Sequence, residues 1–379
     1  MRQFPAPASN LLSTMIALFI TSFLIACSQQ QIDPISENDQ TGGYVAAARQ
    51  IIDSNATLKS VATFPVGIAT GSRLVAQNRK AADLVAAQFT SKTVYAYMSI
   101  EPTQDTFNFG ESDYWVKYAQ SHSVRLHGHC LVYHTGAPAW ITQFKGTTNE
   151  FEQAIKNHIQ TIVGRYKGKM KSWDVINEIT YYNSGAIAQT PFRKMYADDK
   201  SYMEFVKRCF QWAHEADPDA LLFYNDALYE TSPSKVEAII NMAADFKRSG
   251  TPIHGLGTQM HVDINTPDVG IRNSLLRLAS TGLLIHISEL DICVNPNKDA
   301  ITTISAKMND AQQNKYKVVA SLYKQLVPGR LQYGITLWDL SDADSWLVVQ
   351  KNRVDAPCIF DANYNKKPAF YGLLEGLMK

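Results

Sequence analysis

The sequence predicts an α/β chain folded as a (β/α)8 TIM barrel in a single domain. Three observations carry that expectation. Short apolar runs alternate with amphipathic runs about eight times from Tyr44 onward, and strands alternating with helices imply a parallel sheet. Eight such units in roughly 330 residues suit a closed barrel with long connections after its strands. The turn after the first run, Val66-Gly67-Ile68-Ala69-Thr70-Gly71, is a poor match to the Gly-rich phosphate turn that usually opens the alternative, a doubly wound open sheet.

In chain order, Val66–Ala69 is predicted as the first strand and Asn78–Phe89 as the helix behind it. The next three pairs are Thr93–Met98 with Asp113–Ala119, Ser123–His129 with Phe151–Tyr166, and Lys171–Asn177 with Tyr202–Ala216. The second half repeats the rhythm with Ala220–Tyr224 and Ser234–Phe246, then Ile253–His261 and Ile271–Ser280. Leu283–Glu289 with Ser305–Leu326 and Leu331–Trp338 with Pro368–Leu377 complete it. The strand runs are short and apolar, whereas the helical runs space their apolar residues three and four apart.

Composition narrows the class of ligand. Thirty-six Lys and Arg against 35 Asp and Glu leave a formal charge of +1, with 19% charged and 11% aromatic residues. There is no basic excess to neutralise phosphates, which argues against a nucleic-acid partner. Apolar content is ordinary, which argues against disorder. A neutral, aromatic-rich protein suits an uncharged ligand with flat faces, sugars among others.

The N-terminus reads as an address. Arg2 precedes a short apolar run, Leu11–Leu24, that ends in Leu24-Ile25-Ala26-Cys27. This pattern fits a bacterial lipoprotein signal over residues 1–26, with Cys27 as the lipidated residue and a polar tether to Gly43, ahead of a domain over 44–379. The run is short and carries hydroxyls, unlike a spanning helix. The expected location is therefore the periplasmic or outer face of a bacterial membrane, held by the lipid. Cys130, Cys209, Cys293 and Cys358 follow no zinc or redox spacing. Export would permit disulfides, but small buried side chains are the simpler reading.

In such a barrel the chemistry sits at the C-terminal ends of the strands. The predicted fourth strand ends Trp173-Asp174-Val175-Ile176-Asn177-Glu178, and the seventh ends Ile287-Ser288-Glu289-Leu290-Asp291. Two carboxyls flanking a cleft are what glycosidic cleavage needs, one to protonate the leaving oxygen and one to attack or stabilise the sugar cation. The structural alternative for either Glu alone is a helix cap or a surface ion pair. The third strand carries His127, His129 and, beyond it, His134. An H-x-H pair suits a divalent metal, but no further His and Asp complete a site, so no metal is expected and His129 is read as a sugar contact. On the sixth strand Gln259 and His261 share a face by alternation and can orient a carboxylate. Trp338 and Trp346 near the eighth strand offer flat walls for sugar rings.

Taken together, the chain resembles glycoside hydrolase family 10, the retaining endo-β-1,4-xylanases. The resemblance rests on an ordered set: Glu101-Pro102 through Phe107-Asn108-Phe109, Gly128-His129-Cys130-Leu131-Val132-Tyr133-His134, Trp173 to Glu178, Tyr224-Asn225-Asp226, Gly255 to His261, and Ser288-Glu289-Leu290-Asp291. The closing Phe360-Asp361 and Lys367-Pro368-Ala369 also fit. It implies Glu178 as acid/base, Glu289 as nucleophile, Asn177 on the sugar 2-hydroxyl, and His261 between Glu289 and Asp291. It implies no cofactor and a plant cell-wall-type polysaccharide as partner. The departures lie on the glycone side. Tyr95, Ala96 and Ser99 stand where the family usually has a Glu-Asn pair and a Lys, Tyr133 where it has Trp, and Gly136 where it has Gln. A decorated xylan or another β-glycan is therefore a second expectation, and a non-catalytic glycan-binding lipoprotein on the same barrel a third.

Overall fold

The computed structural model describes residues 55–379. The predicted signal, Cys27 and tether lie outside them. Among the described residues, nine parallel strands occur in chain order: β1 Val66–Ala69, β2 Ser91–Tyr95, β3 Arg125–Val132, β4 Ser172–Asn177, β5 Leu221–Asp226, β6 Gly255–Thr258, β7 His261–Asp263, β8 Leu284–Cys293 and β9 Gln332–Trp338. Eight of them close a barrel. Neighbours β1 to β6 pair in sequence, β6 pairs β8 (Gly255 opposite Leu284), β8 pairs β9, and β9 returns to β1 (Val66 opposite Ile335). The (β/α)8 expectation therefore holds, and helices behind each predicted strand complete the ring.

Helix starts follow local chemistry. Thr147 caps Thr148–Arg165 and Glu150 reaches back to the Thr147 N–H, a reciprocal capping box. Asp198 and Ser201 do the same for Asp199–Ala216. Pro occupies the first turn of both Pro233–Arg248 and Pro368–Met378, where its missing N–H has no partner to lose.

Two predicted strands end earlier in the structure than the sequence suggests. The second stops at Tyr95, because the Ala96 N–H bonds across to the His129 carbonyl at 2.7 Å and Met98–Ile100 then winds as a 3-10 turn. The sixth stops at Thr258. Met260 takes a left-handed φ of +59°, and the chain resumes as β7 against the end of β8. Gln259 and His261 thus reach the same cleft through a break in the strand, not through strand alternation.

The barrel interior is unusually polar below the mouth. His127, His286, Phe223 and Tyr333 pack ring to ring, with centroids 4.6–5.6 Å apart for the pairs His127–His286, His127–Phe223, Phe223–Tyr333 and His286–Tyr333. Phe223 fits because its neighbour is Gly255, where a Cβ would lie 2.0 Å from the ring. All four predicted cysteines are free and buried, as small apolar side chains.

Candidate active site

Four residues just past strand ends adopt left-handed backbone: Glu178, Leu228, Met260 and Asp339, with φ of +52°, +63°, +59° and +62°. For non-glycine residues this is uncommon and costs energy. Here each one turns the chain at the mouth of the barrel. The backbone around them stays tied to the sheet. The Glu178 N–H donates to the Asn225 carbonyl, Gln259 N–H to Asp226, and Glu289 N–H to Gln259, each at 3.0 Å. The side chains thus rise from a rigid floor.

They converge on a cleft of about 420 Å³ lined by Tyr97, His129, Tyr133, Asn177, Glu178, Tyr182, Gln259, His261, Glu289, Trp338 and Trp346, with Thr135, Ala227, Leu228, Gln350 and Lys351 at its edges. Glu178 and Glu289 are 7% and 5% exposed, so both carboxyls face the cleft from low-dielectric surroundings.

Their surroundings differ. Burial pushes the Glu178 carboxyl above its ordinary range, reinforced by the negative charges of Asp226 and Glu289. Hydrogen bonds oppose this in part. Gln259 Nε2 donates to Oε1 at 2.7 Å, and the Tyr133 and Tyr182 hydroxyls donate to Oε2 at 2.9 and 3.2 Å. Glu289 instead sits among donors and an imidazole. Asn225 Nδ2 donates to Oε1 at 2.7 Å, His261 Nε2 lies 3.2 Å from Oε2, and His129 Nε2 lies 3.9 Å from Oε1.

A chain of close polar contacts backs the second carboxylate. His261 Nδ1 is 3.0 Å from Asp291 Oδ1, and the Trp346 indole N–H donates to Asp291 Oδ2 at 2.7 Å. Burial alone would lower the proton affinity of His261, but Asp291 and Glu289 drive it well above the usual imidazole value. The two carboxylates thus favour the protonated form of His261. His129 is supported similarly. Burial lowers and Glu289 and Asp174 raise its proton affinity, with a net rise. Asp174 Oδ2 takes contacts from both His127 (2.9 Å) and His129 (2.8 Å), so the H-x-H pair converges on a carboxylate within the barrel.

Other predicted residues are placed as follows. Asn177 Oδ1 accepts from Asn225 Nδ2 at 2.9 Å, and Trp338 stands edge-on to His129 and Tyr95. His134 packs against the Tyr133 ring and is not among the cleft-lining residues. Tyr95 and Tyr97 stack on each other, centroids 5.4 Å apart, and only Tyr97 lines the cleft. Ala96 is fully buried, and Gly136 sits in a left-handed turn. Sequence reasoning missed two residues. Asn225 stood only inside a motif, yet it bridges Asn177 and Glu289 and accepts from Ser288 Oγ at 2.6 Å. Tyr182, four residues past Glu178 in a loop, carried no periodic signal.

A closed parallel barrel whose mouth opposes a carboxyl of raised proton affinity to a carboxylate held by amide and imidazole is the arrangement of a glycoside hydrolase. Residues 55–376 match the sequence profile of glycosyl hydrolase family 10, and the chain belongs to that family. It is 33% identical over 341 residues to the endo-beta-1,4-xylanase Xyn10C of Cellvibrio japonicus, covering 83% of this chain and 56% of that protein. It is 35% identical over 298 residues to an endo-1,4-beta-xylanase of Geobacillus stearothermophilus, covering 74% and 86% respectively. The chain thus spans little more than half the length of the first relative. Among solved structures, the native Cellvibrio japonicus xylanase 10C superposes with a TM-score of 0.80 at 31% identity, covering 85% of this chain and 72% of that one. The same xylanase as a mutant in complex with xylopentaose gives 0.78 at 31% identity, with 85% and 69% covered.

Proposed function

We propose that the chain is a retaining glycoside hydrolase that cleaves β-1,4-linked xylan-type polysaccharide within the chain. One observation carries the reading: two buried carboxyls share a cleft, one favouring its proton and the other surrounded by donors. Glu178 gives its proton to the glycosidic oxygen as the bond from C1 to that oxygen breaks. A Glu289 oxygen forms a new bond to C1, giving an ester with the sugar and a free alcohol. Water then attacks C1, Glu178 takes one proton from it, and Glu289 leaves as carboxylate.

The change of role has an electrostatic basis. The charge on Glu289 helps raise the proton affinity of Glu178. Forming the ester removes that charge, so Glu178, having given up its proton, holds the next one less strongly and serves as the base of the second step. His261, its protonated form favoured by Asp291, offsets the charge that returns to Glu289 in that second step.

We further read the glycone side as altered. Tyr95, Ala96, Ser99 and Gly136 do not supply the carboxylate, amide and ammonium expected there, and each lost hydrogen bond to sugar costs about 1 kcal/mol. The Tyr97 ring supplies stacking in their place, which favours a xylan carrying substituents, or a related β-glycan, over plain xylan. The chain also acts, in this reading, as an exported lipoprotein held to the membrane through Cys27, and a Cys27→Ser protein recovered in the soluble fraction is the expected check.

A panel of plain xylan, arabinose- and glucuronate-substituted xylans and mixed-linkage β-glucan tests the activity. Short oligosaccharides should accumulate from at least one xylan, and Glu289→Ala should be slower by about 10³-fold or more. A wild-type rate equal to that of Glu289→Ala on every polymer would leave only the glycan-binding reading.

A further inference from the structure

Two phenols meet on one oxygen of Glu178. The Tyr133 and Tyr182 hydroxyls lie 2.9 and 3.2 Å from Oε2, from the loops after β3 and β4. No other hydroxyl is shown on this carboxyl among the described residues. The opposite oxygen, Oε1, meets only amide nitrogens, Gln259 Nε2 at 2.7 Å and Asn177 Nδ2 at 3.5 Å.

The amide orientations are set by the network. Glu289, as an acceptor, requires the nitrogen end of Asn225, and that same Nδ2 donates to Asn177 Oδ1. Asn177 therefore turns its own nitrogen toward Glu178. Gln259 Nε2 lies 3.5 Å from the same Asn177 oxygen, which fixes its nitrogen end too. A proton on Oε1 would face N–H groups that can only donate. A hydroxyl can donate or accept, so Oε2 is the oxygen that tolerates both states.

We propose that Tyr133 and Tyr182 form a phenol clamp that confines the transferable proton of Glu178 to Oε2 and steadies the carboxylate after the proton has left. The proposal rests on the reading of Glu178 as the acid. With Glu178 protonated, Oε2–H donates to the phenol oxygen of Tyr133 or of Tyr182, one at a time. As the proton passes to the leaving oxygen, both hydroxyls turn and donate to the anion. Tyr182 keeps its place although the residue is 55% exposed, because the Lys235 ammonium sits 5.4 Å from its ring centroid. Charge from Glu178 pushes the Tyr182 phenol up to about 12, and burial pushes Tyr133 higher. Both therefore stay protonated and act as positioning residues, not as acids.

The groups that face Glu178 are Asp226 with its Lys235 partner from β5 and the helix beyond it, Glu289 from β8, Gln259 after β6, His129 and Cys130 on β3, and Tyr97 after β2. None of these is altered by removing a phenol oxygen. Both hydroxyls stabilise the ionised acid, so deleting them favours the protonated form and delays its loss as pH rises.

The test uses kcat/KM against pH on phenyl β-xylobioside, whose poor leaving group needs the proton. Tyr133→Phe and Tyr182→Phe each move the alkaline limb upward, and the double variant moves it by about one pH unit. Tyr182→Phe keeps the test open if Tyr133→Phe folds poorly. Limbs that coincide with wild type in the folded variants overturn the clamp. Glu178→Ala should abolish the alkaline limb. A limb that persists there overturns the reading of Glu178 and the clamp with it, whereas its disappearance beside unmoved Tyr variants overturns the clamp alone.

Discussion

Asn225 shows how much one side chain carries in this site. Its Nδ2 donates to both Glu289 and Asn177, and its Oδ1 accepts from Ser288. All its partners are buried, so truncation leaves polar groups unpaired. Asn225→Ala should lower kcat/KM on an aryl β-xylobioside by about 10²-fold with a smaller change in KM; an unchanged kcat/KM would remove Asn225 from the machinery. The sequence made Glu178 and Glu289 legible, because each is a polar residue closing an apolar run, whereas the His261–Asp291 pair followed only from the family resemblance. Asn225 closes such a run as well, but an amide carries no titration signature, so nothing separated it from a structural residue. Tyr182 and Tyr133 were illegible as partners of Glu178 because that contact depends on two loop conformations.

At the scale of elements, the strands place the site and small residues make room for it. A Cβ on Gly257 would lie 2.1 Å from Asn225 Oδ1. Gly257→Ala should thus displace Asn225, costing activity beyond its about 1–3 kcal/mol effect on stability. Gly71→Ala, with open space around its Cβ position, should leave kcat/KM unchanged. Full activity in Gly257→Ala, measured alongside chemical denaturation, would contradict the packing argument.

The loop after β9 adds a pH-dependent element. Asp339 follows the strand in left-handed backbone and its Oδ2 accepts from the Trp346 N–H at 2.7 Å. Burial, chiefly, raises its carboxyl from 3.8 to about 7. Below about pH 4 both folded and unfolded states hold the proton. Above that the unfolded chain releases it first, so stability falls as pH rises toward 7, by a few kcal/mol at about 1.4 kcal/mol per pH unit. Asn keeps an acceptor for Trp346 and has no charge to bury. Asp339→Asn should flatten the decline in Tm between pH 4 and pH 8, and a parallel decline in wild type and variant would contradict it. The element boundaries were legible where capping chemistry is local, as at Thr147 and Asp198. The break at Met260 was not, because the apolar run continues through it and only the pairing of β7 with β8 reveals the turn.

Over the whole molecule, the balance of charge acquires a location. The acidic residues that matter are gathered at one end of a closed sheet and each is met by an amide, an imidazole or a phenol. Barrel closure was legible from the alternation of strands and helices. The polar layer of His127, His286 and Tyr333 beneath the mouth was not, since an interior ring reads as apolar core until its neighbours are known. The division of labour between two carboxyls is the claim that unites fold, field and chemistry. It is tested most directly by trapping the intermediate with 2,4-dinitrophenyl 2-deoxy-2-fluoro-β-xylobioside, followed by peptide mapping by mass spectrometry. The account predicts time-dependent inactivation with one fluoroxylobiosyl group on the peptide containing Glu289. A label on the Glu178 peptide, or hydrolysis of xylan by an enzyme that never acquires the label, would contradict it.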